Sequence, residues 1–126
     1  WTVRYRAENE PDARRAAGWL SGACLLVRAT AYREVGGFDP GYFMYFEDVD
    51  LGDRLGKAGW RNMYIPESRV LHSGAHSTTG VRKPMEKAHH DSAYRYLSRK
   101  YAAWYFAPLR AAVRLGLWGR LWWVSR

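Results

Sequence analysis

Gly36-Gly37-Phe38-Asp39-Pro40-Gly41-Tyr42-Phe43-Met44-Tyr45-Phe46-Glu47-Asp48-Val49-Asp50-Leu51 joins a glycine- and proline-rich turn to a run of aromatics and then to three acids. Aromatics at that density belong in a core or in the wall of a pocket. At the acids the apolar spacing becomes helical, with Leu51, Leu55 and Ala58 at i, i+4 and i+7. Glu47, Asp48 and Asp50 therefore occupy a first helical turn, where backbone N–H groups and the macrodipole favour carboxylates as anions. Asp48, three residues before Leu51, falls on the inward side of that helix. An ionised carboxylate held beside an aromatic pocket is what a general base requires. Acids in a first turn are also ordinary helix formers, and Asp50 with Arg54 at i, i+4 reads as a surface ion pair.

Outward from this centre, both flanks alternate short extended and helical pieces. Trp19 to Val27 is a continuous apolar run, read as a strand buried on both faces. Its small residues, Ser21 to Ala23, leave room for a ligand or another backbone. Thr30 caps a short helix over Ala31 to Val35, which Gly36 and Gly37 end. The central helix ends at Ala58-Gly59; Gly52 and Gly56 inside it mark close packing against a neighbour. Arg61 to Ile65 reads as a strand stopped by Pro66, and Ser68 to His72 as a second extended piece. Thr2 to Arg6 reads as a short strand and Ala7 to Arg15 as a loop.

Ser73 to Pro84 is small, hydroxylated and finally basic, a loop able to order around an anion through Ser77, Arg82 and Lys83. Pro84 suits the first turn of a helix running to about Tyr101. His89 and His90 near its start point in different directions, which argues against a shared metal and leaves contact with a phosphate or an acceptor open. From Trp104 onward aromatics alternate with arginines, a pattern suited either to an anionic bilayer surface or to helices packed on the domain. Arg110, Arg114, Arg120 and Pro108 argue against a membrane span.

The chain has 126 residues, 48% of them hydrophobic and 16% aromatic, enough for one folded domain rather than a disordered chain. A net charge of +8 points to an anionic partner: nucleic acid, lipid headgroups or a phosphorylated small molecule. The single cysteine, Cys24, lies in an apolar run and reads as a buried thiol, with no disulfide framework and a reducing compartment. The acids lack the ligand series and glycine placement of an EF-hand. The sequence opens at Trp1 without an initiator methionine or signal peptide pattern, as a fragment would.

Taken together, Gly36-Gly37-Phe38-Asp39, Phe43 to Leu51, Arg54-Leu55, Ala58-Gly59-Trp60, Tyr64-Ile65-Pro66 and Val70-Leu71-His72 resemble the carboxyl-terminal half of a family 2 glycosyltransferase, and closely resemble its bacterial rhamnosyltransferase branch. Lys83-Pro84-Met85 and Ala88 to Tyr96 further resemble actinobacterial enzymes that add rhamnose to polyprenyl-diphosphate-linked N-acetylglucosamine. The resemblance implies an α/β chain: the second half of an inverting GT-A (Rossmann-like nucleotide-diphospho-sugar transferase) fold over residues 1–83, followed by C-terminal amphipathic helices over 84–126, a basic aromatic tail. It implies Asp48 as base toward the acceptor hydroxyl and Glu47 as its helper. Trp19, Ser21, Gly22 and Phe46 would then line the acceptor side, Ser77, Arg82 and Lys83 the diphosphate, and His72 a divalent Mg2+ or Mn2+ site. The implied partners are a nucleotide sugar, dTDP-L-rhamnose, a glycan or polyprenyl-diphosphate-sugar acceptor and an anionic membrane surface at the cytoplasmic face of a bacterial plasma membrane, with no nucleic acid. No Asp-x-Asp at a strand end stands for the nucleotide-binding half, so these residues by themselves are expected to be inactive. The competing reading is a basic, aromatic-rich module that binds membrane or nucleic acid without catalysis.

Overall fold

The computed structural model describes residues 13–70 and 82–124. The elements run β1 (Arg15–Ala17), α1 (Ala29–Glu34), α2 (Glu47–Lys57), β2 (Asn62–Tyr64), α3 (Arg82–Lys100), a 3-10 turn (Trp104–Phe106) and α4 (Ala107–Val124). β1 and β2 form a two-stranded antiparallel sheet in which Ala16 pairs with Met63.

The small core is made where α1 crosses α2: Ala31, Leu51 and Leu55 are buried, and Leu25, Val27, Tyr32, Val35 and Trp60 pack against them. Both helices end as their glycines dictate. After α1, Gly36 has φ +76°, and the N–H groups of Gly36 and Gly37 return to the carbonyls of Arg33 (3.1 Å) and Tyr32 (2.8 Å). After α2, Gly59 has φ +88°, and the N–H groups of Gly59 and Trp60 return to Gly56 (3.1 Å) and Leu55 (3.0 Å). These are the paired bonds of a Schellman motif, which satisfies carbonyls that a helix end leaves open.

Several expectations need correcting. Residues 19–27 are not a strand: they run as turns and coil, with Leu25 and Val27 on the core and Leu26 98% exposed. Gly18, Ser21 and Gly22 favour turns, and the strand comes earlier, at Arg15–Ala17. Cys24 is consequently exposed. α1 begins at Ala29 with Arg28 at its N-cap and no side-chain cap, so Thr30 lies inside the helix. Residues 68–70 form no regular element; the expected strand at Thr2 to Arg6 and the remainder of Ser68 to His72 lie outside the described residues.

Gly52 meets the close approach expected of it and Gly56 does not. A Cβ at Gly52 would stand 2.7 Å from Cβ and 2.8 Å from Cα of Trp19, whereas at Gly56 nothing lies within 4 Å. Asn62 of β2 locks this crossing by donating to the carbonyls of Gly18 (3.1 Å) and Gly52 (3.0 Å). The segment carrying Trp19 to Gly22 is thereby held along α2.

α3 and α4 pack on each other, Arg110 turning the corner between them by donating to the carbonyls of Tyr101 (2.6 Å) and Ala103 (2.9 Å). Within the described residues no helix is long and apolar enough to cross a membrane.

Candidate active site

α2 starts without a side-chain cap. Its N-cap, Phe46, has φ 65°, and Tyr45 before it has φ 67°. Two successive non-glycine residues in the left-handed region cost on the order of 1–3 kcal/mol each, so surrounding contacts must hold them. α3 supplies these contacts. The His89 ring meets Tyr45 and Phe46 edge-on, at 5.3 and 5.4 Å between centroids, and Tyr96 lies 5.8 Å beyond Phe46. Ser92 donates its hydroxyl to the Met44 carbonyl at 2.7 Å. His89, Ser92 and Tyr96 follow at i, i+3 and i+7, one face of a helix.

This sharp entry aims the first turn of α2 at the coil of residues 19–24. The backbone N–H of Gly22 donates to Oδ2 of Asp48 at 2.8 Å, and the N–H of Val49 to Oδ1 at 2.8 Å. Both oxygens therefore accept one backbone bond, which fixes the half-buried carboxylate and leaves each oxygen further lone pairs. Oε2 of Glu47, beside it, is buried and has no hydrogen-bond partner. An unpaired buried acceptor costs about 1–3 kcal/mol.

Asp50 is not a surface residue. It is 4% exposed and accepts from Arg54 Nε at 2.7 Å and from the Tyr42 hydroxyl at 3.4 Å, while Arg99 of α3 stands 3.7 Å away. Arg54 also donates to the Val35 carbonyl at 2.5 Å, joining the end of α1 to the middle of α2. Burial first, then the Asp50 charge, pushes the Tyr42 phenol up to about 12. Asp39 accepts two bonds from Arg95 Nη2, at 3.0 and 2.9 Å, and another from Arg99. The Gly41 N–H, 2.8 Å from Asp39 Oδ1, and then Arg95 hold that carboxyl below its usual value. These buried and half-buried pairs tie the aromatic segment to α2 and α3, a structural duty that periodicity alone did not reveal.

His89 and His90 also differ in place. Desolvation, then the neighbouring His90, lowers the pKa of His89. His90 is buried, its Nδ1–H donates to the Glu86 carbonyl at 2.6 Å, and its Nε2 has no partner. The two rings stand edge to face, 6.0 Å apart.

Of the expected site residues, the structure brings Ser21, Gly22, Glu47 and Asp48 to one place. Trp19 lies against Gly52, one turn along α2 from Asp48, and Phe46 sits between His89 and Tyr96. Arg82 and Lys83 open α3. His72 and Ser77 lie outside the described residues. Among the described residues no three His, Cys, Asp or Glu side chains gather as a metal site. His89, Ser92 and Tyr96 of α3 hold the Met44–Phe46 entry to the site; the sequence singles out His89 for contact with a phosphate or an acceptor, and carries no signal for Ser92 or Tyr96.

A family model described as "Glycosyltransferase like family 2" matches residues 5–106. The chain is 54% identical over 114 residues to an N-acetylglucosaminyl-diphospho-decaprenol L-rhamnosyltransferase of Mycobacterium tuberculosis, covering 90% of this chain and 37% of that protein. It is 42% identical over 82 residues to the rhamnosyltransferase WbbL of Escherichia coli, covering 65% of this chain and 31% of the relative. An O-antigen biosynthesis protein of Myxococcus xanthus is 36% identical over 56 residues, 43% of this chain and 4% of its own. The chain thus spans a little over a third of the length of the first of these relatives. No solved structure matches. With the family model covering the turn, the aromatic segment, α2 and α3 together, the chain belongs to the glycosyltransferase-like family 2, whose fold is GT-A.

Proposed function

We propose that this chain is the acceptor-binding and catalytic-base part of an inverting rhamnosyltransferase. Its substrates are dTDP-L-rhamnose and a polyprenyl-diphosphate-linked N-acetylglucosamine, and its place is the cytoplasmic face of the plasma membrane. The likeness to rhamnosyltransferases of two organisms supports the sugar, and the printed name of the mycobacterial relative supports the acceptor. The same likeness favours a transferase over a module that only binds polyanions. This chain covers 37% of the mycobacterial relative, which leaves room for a nucleotide-binding half outside residues 1–126; by themselves these residues do not turn over.

The observation that carries the reading is the bond from Gly22 N–H to Asp48, which holds a carboxylate at the junction of the aromatic segment and the small-residue coil. Asp48 takes the proton from the acceptor hydroxyl as its oxygen attacks the anomeric carbon, and the nucleotide diphosphate leaves from the opposite face, which inverts the centre. Glu47, next to Asp48 in the first turn of α2, helps to orient the acceptor or the base. Arg82 and Lys83 place two cationic residues at the positive end of the α3 dipole, an arrangement that suits a diphosphate, with Ser77 on the loop before it. A divalent Mg2+ or Mn2+, when bound, supplies further neutralisation of that diphosphate; His72 is its expected holder here, together with the nucleotide-binding half.

The test is sugar transfer by the full-length gene product, wild type against Asp48→Asn. Loss of a positioned base should lower turnover by about 10²–10⁴-fold with an unchanged circular dichroism spectrum and melting temperature. A fully active Asp48→Asn enzyme would remove Asp48 from the role.

A further inference from the structure

α4 carries two different apolar faces. The half-buried row Arg110, Val113, Leu117 and Leu121 lies at i, i+3, i+7 and i+11 on the side packed with α3. A second row, Ala111, Leu115, Trp118 and Trp122 at i, i+4, i+7 and i+11, faces outward, with Leu115 67%, Trp118 69% and Trp122 51% exposed. Trp123, 77% exposed, widens it. On a helical projection the residues between Arg114 on one side and Arg120 on the other are all apolar or glycine. From Tyr101 to Arg126 there is no Asp or Glu.

A continuous exposed apolar stripe of this kind marks an interaction surface. The charge pattern selects the occupant. Among the described residues no acid pairs with the flanking arginines, although Arg114 also lies over the Tyr94 ring of α3 at 5.7 Å from its centroid; with tryptophans filling the stripe, the pattern matches the headgroup level of an anionic bilayer, where indole rings settle and cations meet lipid phosphates. Among the described residues no helix is long and apolar enough to cross a membrane, and the arginines at 110, 114 and 120 suit α4 to lying lengthwise on a bilayer.

We propose that α4 docks flat on a membrane of anionic lipids, its Leu115–Trp118–Trp122 row in the interface and Arg114 and Arg120 at the phosphates. α3 then lies directly above α4, and its His89 and Tyr96 contact Tyr45 and Phe46 at the entry to α2. Docking so holds the entry to α2, and the base that follows it, on the membrane side of the protein at a height of roughly two helix diameters. This names the surface by which the proposed lipid-linked acceptor is reached, and it rests on that reading only for its purpose.

The experiment is flotation of the full-length gene product, without donor, on phosphatidylcholine vesicles with and without phosphatidylglycerol. Binding should require phosphatidylglycerol and weaken with salt. Leu115→Glu and Trp118→Glu should each weaken it at least about tenfold while the melting temperature holds, and Arg120→Gln about fivefold. Equal binding to both vesicles, or variants that bind like wild type, would overturn the proposal. So would a self-associated protein that Trp118→Glu dissociates, which would make the row a contact between copies, or a melting temperature several degrees lower in both variants, which would place it inside the fold. Transfer to a water-soluble acceptor without vesicle binding would defeat the docking alone; vesicle binding without transfer would defeat the transferase reading alone.

Discussion

The backbone N–H of Gly22 donates to Oδ2 of Asp48 at 2.8 Å across 26 residues of sequence. It turns a first-turn carboxylate into an oriented one, because the oxygen that accepts Gly22 fixes the direction of the other lone pairs. Gly22→Ala should be tolerated, since a Cβ there meets Asp48 Cβ at 3.5 Å and Oδ2 at 3.6 Å, ordinary contact distances. Gly22→Pro deletes the donor and should lower transfer about tenfold or more, as expected for losing a hydrogen bond to a charged group. Initial rates of the two variants side by side, with thermal melts as the control for folding, check this; equal rates would detach Gly22 from the site.

Gly52 and Gly56 share a helix and should respond oppositely to alanine. At Gly52 the new Cβ overlaps the Cβ and Cα of Trp19, so Gly52→Ala should destabilise by about 1–3 kcal/mol despite its better helix propensity. At Gly56 nothing is met, and Gly56→Ala should stabilise by about 0.5–1 kcal/mol. Urea midpoints decide it. A stable Gly52→Ala protein would mean that the Trp19 segment does not lie on α2.

The Tyr42, Asp50 and Arg54 group should govern stability rather than chemistry. Asp50→Ala strands the mostly buried Arg54 and should cost about 3 kcal/mol, while Tyr42→Phe, losing a long bond of 3.4 Å, should cost no more than about 1 kcal/mol. The Tyr42 phenol is raised in the fold from 10.0 to about 12, so the folded state holds its proton more tightly than the unfolded state. That contribution is complete below pH 10 and is lost as pH climbs through the folded value. Chemical unfolding measured across this window should show a shallower alkaline decline in Tyr42→Phe than in wild type; parallel curves would contradict the buried placement.

What was legible in the chain was local. The glycines that end α1 and α2, the helical period from Leu51, the three acids of the first turn and the strand before Pro66 each depend on neighbours a few residues away, and each appears where periodicity and turn chemistry put it. The aromatic and acidic run also carried the family likeness. The Trp19–Val27 segment was misread for a physical reason: a continuous apolar run is compatible with any backbone that buries part of it. Here Leu25 and Val27 are covered while Leu26 is not.

The order of residues limits which of them can serve: a carboxylate pair at a helix start, small residues before it, and arginines among tryptophans in the last helix. Which of them meet depends on how the helices and coil pack. Asp50 and Arg54 have the spacing of a surface pair, and became a buried tie because Tyr42 from the preceding aromatic segment and Arg99 from distant α3 close over them. His89 and Tyr96 came to hold the entry to α2 because α3 packs on Tyr45 and Phe46, two residues held in a strained conformation by contacts that no local rule contains. Periodicity reports which face of an element is apolar, whereas the partner of that face depends on how distant elements fill space together.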